Sequence, residues 1–146
     1  MNSELSEEIF KIQTKFCSDA TLLSVRSWKI VTLSFPRMEV EFSSNGRPPI
    51  IIKMLCDEWD DLPPSIDLLD QTGTPLAKFP QGQGHSVFNN SLHPITKRPF
   101  LCIPGVREYH EHSSHISDKW DNYKNKSGYD LGGILTRVWS AWKSSQ

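Results

Sequence analysis

Two rhythms of hydrophobic positions divide the chain. Near the start Leu5, Ile9, Ile12 and Phe16 recur at helical spacing, with Ser3 as N-cap and Glu7 and Glu8 in the first turns, so an amphipathic helix is predicted to about Phe16. The next stretches, Trp28 to Phe35, Met38 to Ser43 and Pro49 to Cys56, are rich in β-branched and aromatic residues and are broken by Pro36-Arg37 and Asn45-Gly46, which reads as an antiparallel meander. Pro63-Pro64 blocks central-strand pairing and leads into a fourth strand, Ser65 to Leu69, after which Asp70-Gln71-Thr72-Gly73 turns the chain.

From Phe79 to Pro94 periodicity fades among Gly82, Gly84, Asn89 and Asn90, so an irregular surface loop is expected. The short apolar run Phe100-Leu101-Cys102-Ile103 interrupts this loop region. Helical spacing returns with Leu131, Ile134, Leu135, Val138, Trp139 and Trp142, although Gly132-Gly133 weakens the start of that helix by about 1 kcal/mol per glycine. The order of helix, four strands, loop-rich region and helix predicts an α+β fold in one domain spanning residues 1–146.

Composition narrows the partners. The 146 residues are 37% hydrophobic and 23% charged with a formal charge of -1, which gives no basic footprint for nucleic acid. Met1-Asn2-Ser3-Glu4 lacks the basic and apolar regions of a leader, and no apolar run approaches the roughly 20 residues of a membrane span, so a soluble, unprocessed cytoplasmic protein is expected, with no membrane partner. Cys17, Cys56 and Cys102 are odd in number and widely spaced, which fits free thiols in a reducing compartment.

Pro63-Pro64, His93-Pro94, Cys102, Trp120 and the final amphipathic helix, in this order, resemble the ubiquitin-conjugating enzymes over nearly the whole chain. In that family a Pro-Pro pair ends the meander and a His-Pro-Asn triplet precedes the catalytic cysteine at about the spacing from His93 to Cys102. The stretch from Phe100 to His115 is similar, more closely, to a bacterial family named for a Cys-Glu-His-His pattern and described as predicted metal-binding. The resemblance implies a UBC-like fold, a transferase that holds a ubiquitin-like modifier as a thioester on Cys102, and a modifier, an activating enzyme and a target protein as partners. It also implies an operon of the ubiquitination-like kind, several of which act in defence against phage.

This sequence departs from the pattern twice. Ile95 stands where the asparagine would be and supplies no side-chain donor, and loss of one oxyanion donor typically costs roughly 3 to 4 kcal/mol. The connection from Cys102 to Trp120 is also longer, and it carries the histidine-rich segment.

The residues around Cys102 allow two chemistries. A histidine among His110, His112 and His115 would favour the thiolate or accept the proton of an attacking lysine, oriented by Glu108, with no cofactor required. Alternatively Cys102, Glu108, His110 and His115 would bind a divalent metal such as zinc in a non-catalytic module, and both uses compete for one sulfur. An extended segment would point His110 and His112 to one side, whereas a helical one would pair His112 with His115. His93 is expected to bond the backbone of its own loop, Cys17 and Cys56 to be structural, and Asp118 and Asn89 to be candidates for the rim, while His85 would approach Cys102 only if its loop folds over it.

Overall fold

The computed structural model describes residues 2–81 and 87–145. Helix α1 (Ser3–Gln13) is capped by Asn2, whose Oδ1 accepts from the Leu5 N–H at 2.8 Å, rather than by Ser3. It ends three residues before the expected Phe16, and Lys15–Ser18 forms a 3-10 turn. Its inward face also differs. Ser6, Phe10 and Thr14 are buried and the expected Ile9 and Phe16 pack against the core, while Leu5 and Ile12 are 49% and 60% exposed, because Phe10 packs edge-on against Phe35 at 5.4 Å and fixes the rotation of the helix. A second helix, α2 (Ala20–Arg26), stands where none was expected, capped by Asp19 and stopped by Ser27 in the left-handed region.

Strands β1 (Trp28–Ser34), β2 (Arg37–Phe42), β3 (Ile50–Leu55) and β4 (Ser65–Leu69) form an antiparallel sheet in sequential order. The register runs through Phe42 opposite Ile50 and Ile51 opposite Leu69. Met38, Val40 and Phe42 alternate inward on β2, as period two requires of a half-buried strand. Helix α4 (Leu131–Ser144) buries Leu131, Ile134, Leu135, Val138 and Trp142. Trp142 lies 5.8 Å from Phe42, and Trp139 meets Trp28 edge-on at 5.9 Å, so aromatic rings carry the seam between helix and sheet. Among the described residues no helix is long and apolar enough to cross a membrane.

The stretch from Phe79 to Pro94, expected to be an irregular loop, contains the short strand β5 (Phe88–Asn89), which pairs with β6 (Phe100–Leu101) in the apolar run beyond it. Beyond it lies helix α3 (Arg107–Glu111), followed by a 3-10 turn at Ser113–His115.

Packing explains the glycine at the start of α4. A Cβ on Gly133 would stand 2.4 Å from the Gly128 carbonyl oxygen, a backbone atom that cannot step aside. Gly133→Ala would gain about 1 kcal/mol of helix propensity, yet overpacking of this kind costs about 1–3 kcal/mol. Urea denaturation of Gly133→Ala should therefore show a net loss of stability, and an unchanged or raised midpoint would contradict the packing.

Candidate functional site

Helix α3 is docked by its first two residues. Arg107 donates from Nε to the Pro63 carbonyl at 3.0 Å, its main-chain N–H bonds the Pro64 carbonyl at 2.9 Å, and its guanidinium pairs with Asp57 at 2.7 Å. The prolines that interrupt pairing thus leave carbonyls free to receive the helix. Glu108 is buried, and its carboxylate accepts from Ser65 Oγ at 2.7 Å and the Ile66 N–H at 2.9 Å at the start of β4. Burial pushes its carboxyl above the ordinary value, and the two donors only partly oppose the shift. The carboxylate therefore faces the sheet, and it is the main-chain carbonyl of Glu108 that meets a histidine.

That histidine is His93, which is fully buried. Its Nδ1 accepts from the Ile95 N–H at 3.1 Å, so its Nε2 carries the proton and donates to the Glu108 carbonyl at 2.8 Å. Ile95 itself is 65% exposed. Phe100 packs edge-on against His93 at 5.0 Å, which ties β6 to the same anchor.

Cys102 follows β6 directly. Its N–H still donates to the Val87 carbonyl at 2.6 Å, and its side chain is half-buried. Burial raises the thiol above its ordinary value. The sulfur stands 3.5 Å from His115 Nε2. Cys56 is sealed in the core, where burial pushes its thiol to about 12, and half-buried Cys17, pushed to about 11, lies 3.8 Å from the Met38 sulfur.

The three imidazoles have different surroundings. His110 accepts from the Gly105 N–H at Nε2, 3.0 Å, and donates from Nδ1 to the Asp118 carbonyl at 2.7 Å; both ring nitrogens are engaged by main chain, and burial lowers its basicity. Gly105 reaches this bond with φ +95°, a conformation that L side chains rarely adopt. His112 begins the 3-10 turn, its Nδ1 accepting from the Ser114 N–H, and its ring stacks on Phe100 at 5.3 Å. His115, at the end of that turn, reaches the sulfur.

Of the four ligands considered for a metal, then, Cys102 and His115 are in contact, while the oxygens of Glu108 and the nitrogens of His110 are engaged elsewhere. Among the described residues no group of three or more His, Cys, Asp or Glu side chains is placed to hold a metal ion. Asn89 accepts from the Ser91 N–H in its own turn, and His85 lies outside the described residues. Asp118 sits behind the pair: its carboxylate accepts from Tyr109 Oη at 2.5 Å and from Tyr123 Oη at 2.9 Å, and the Tyr109 bond leads the causes holding it below the usual carboxylate range. Neither tyrosine carried a signal in the sequence, because their meaning depends on where Asp118 comes to rest.

The Y4jH-like family, described as the Y4jH family, matches residues 83–143 of this chain. The uncharacterized protein y4jH of Sinorhizobium fredii (strain NBRC 101917 / NGR234) is 33% identical over 72 residues, which are 49% of this chain and 30% of that protein. The chain thus spans less than a third of this curated relative's length. The family match begins before β5 and includes Cys102, α3 and His115, whereas β1 to β4 precede it.

The burial of Glu108 sets a pH dependence. A carboxyl with a raised folded pKa contributes stability that is fully present below its ordinary value of 4.5 and is lost as pH rises through the folded pKa. Chemical denaturation from pH 4 to 7 should show the wild type losing stability with rising pH relative to Glu108→Gln. Parallel curves for the two proteins would refute this.

Proposed function

We propose that this chain is a transferase of the ubiquitin-conjugating kind, which receives a ubiquitin-like modifier from an activating enzyme as a thioester on Cys102 and passes it to an amine of a target protein. The contact of Cys102 Sγ with His115 Nε2 at 3.5 Å, on a half-buried residue at a strand end, carries the reading. The sequential antiparallel meander, the prolines after it, the His93-Pro94 turn and the closing helix support a UBC-like arrangement around that sulfur. The pathway proposed is bacterial and ubiquitination-like, of the kind that acts against phage.

In loading, the Cys102 sulfur attacks the carbonyl carbon of the modifier's thioester. A new S–C bond forms, the bond to the activating enzyme's sulfur breaks, and the thiol proton passes through His115 to the departing thiolate. In transfer, the target amine attacks the same carbon, Cys102 leaves as thiolate, and His115 takes the amine's proton. Because burial disfavours the Cys102 thiolate, the imidazole has a task that solvent performs poorly. Ile95 offers only an apolar side chain, so donors to the oxyanion come from main chain or from a partner protein.

Incubation with ATP, a bacterial ubiquitin-like modifier and its activating enzyme should give an adduct on a non-reducing gel, cleaved by thiol and absent with Cys102→Ala. His115→Ala should slow loading by about a hundredfold or more at pH 7, the usual reach of a general base. Its rate should then climb with pH through and beyond the ordinary thiol range, since only thiolate would react. An adduct that persists in Cys102→Ala rules out this assignment.

A further inference from the structure

We propose that Tyr109 is a positioning residue for the Cys102–His115 pair, its ring being the fixed plate that holds the imidazole edge against the sulfur. The proposal rests on Cys102 as the reactive group. His115 ends a single 3-10 turn whose Ser113, Ser114 and following Ile116 are exposed, so its own backbone gives the ring little support. Among the described residues the sulfur is the hydrogen-bond partner its ring nitrogens meet, and a thiol is a weak donor. What lies flat against the imidazole is the ring of Tyr109, 4.2 Å away and 18° from parallel.

That plate is itself held. Tyr109 is buried and follows the docked Glu108 on α3, and its hydroxyl bonds the Asp118 carboxylate, which Tyr123 grips from the other side. The Asp118 carbonyl takes the His110 Nδ1 proton, and His110 Nε2 takes the Gly105 N–H, three residues beyond Cys102. Contacts run from Gly105 through His110, Asp118, Tyr109 and His115 to the sulfur, and the main chain from Cys102 to Gly105 completes the circuit. His112 is the other neighbour, 5.8 Å away and inclined by 46°, which is too oblique to replace the plate.

Iodoacetamide tests this without any modifier protein. The sulfur bonds the methylene carbon, iodide leaves, and His115 takes the thiol proton; mass spectrometry of the Cys102 peptide gives the rate apart from Cys17 and Cys56. Tyr109→Leu should slow alkylation at pH 7 about two- to tenfold, the range of an aromatic pair's contribution. Tyr109→Phe keeps the plate but loses the tie to Asp118, and should fall between Tyr109→Leu and wild type. In a His115→Ala background Tyr109→Leu should slow nothing further. A wild-type rate in Tyr109→Leu, or equal slowing with and without His115, overturns the proposal. Should Tyr109→Leu fail to fold, Tyr109→Phe carries the same comparison, and a wild-type rate or slowing independent of His115 is again fatal. If His115-dependent slowing is found but no modifier adduct ever forms, the transferase reading fails while the positioning role stands.

Discussion

Glu108 is the joint on which this architecture turns. A carboxylate withdrawn from water is tolerated only where donors meet it, and here both donors, the Ser65 hydroxyl and the Ile66 N–H, come from adjacent residues at the head of β4. The same residue receives the His93 Nε2 proton on its main-chain carbonyl, so sheet, helix and His93 loop meet at one point. Its neighbour Arg107 adds the carbonyls of Pro63 and Pro64. With α3 fixed this way, Tyr109 and His110 have little freedom: the directions of both side chains follow from the bonds of the two residues before them.

From that joint the environment separates three chemically identical side chains. His110 has both nitrogens spoken for and its charged form disfavoured by burial, which makes it a strut between Gly105 and Asp118. His112 caps a turn and stacks on Phe100. His115 keeps a nitrogen for the sulfur. Position along the chain favours none of them, and the difference arises because α3 stops at Glu111 and the chain re-enters a tighter turn, so the segment is neither the extended nor the continuous helical alternative.

The parts legible in the sequence are those whose signal is local. The four strands lie close to where their β-branched and aromatic runs place them, because the turns between them are marked by Pro36, Gly46 and the Pro63-Pro64 pair. The face of α1 was legible in part: Ile9 and Phe16 pack against the core as their spacing suggests, but Leu5 and Ile12 are exposed and Phe10 is buried, a rotation that the contact with Phe35 decides. Helix α2 has seven residues, with Asp19 and Ser27 as its only clear boundary marks, and β5 and β6 have two residues each, too short for any periodicity to register. That His115 rather than His110 meets the Cys102 sulfur was not legible, because the reason lies in the bonds that Gly105 and Asp118 make across the fold.

The resemblance to the Y4jH-like family and the support of the site cover different parts of the molecule. Residues 83–143 contain Cys102, His115, Tyr109 and Asp118, but the donors to the Glu108 carboxylate, the acceptors of Arg107 and the Asp60 carbonyl that accepts from the Trp120 indole N–H all lie before residue 83. At the far end Gln13 of α1 accepts from the Leu131 N–H, and Phe16 packs against Gly132. Removing the first half of the chain would leave a buried carboxylate without its partners and the inner face of α4 without a sheet, each a loss of several kcal/mol by ordinary magnitudes. The Cys102–His115 contact therefore lies in one half and the bonds that anchor α3 beside it begin in the other, so in this chain residues 83–143 are not a self-sufficient unit.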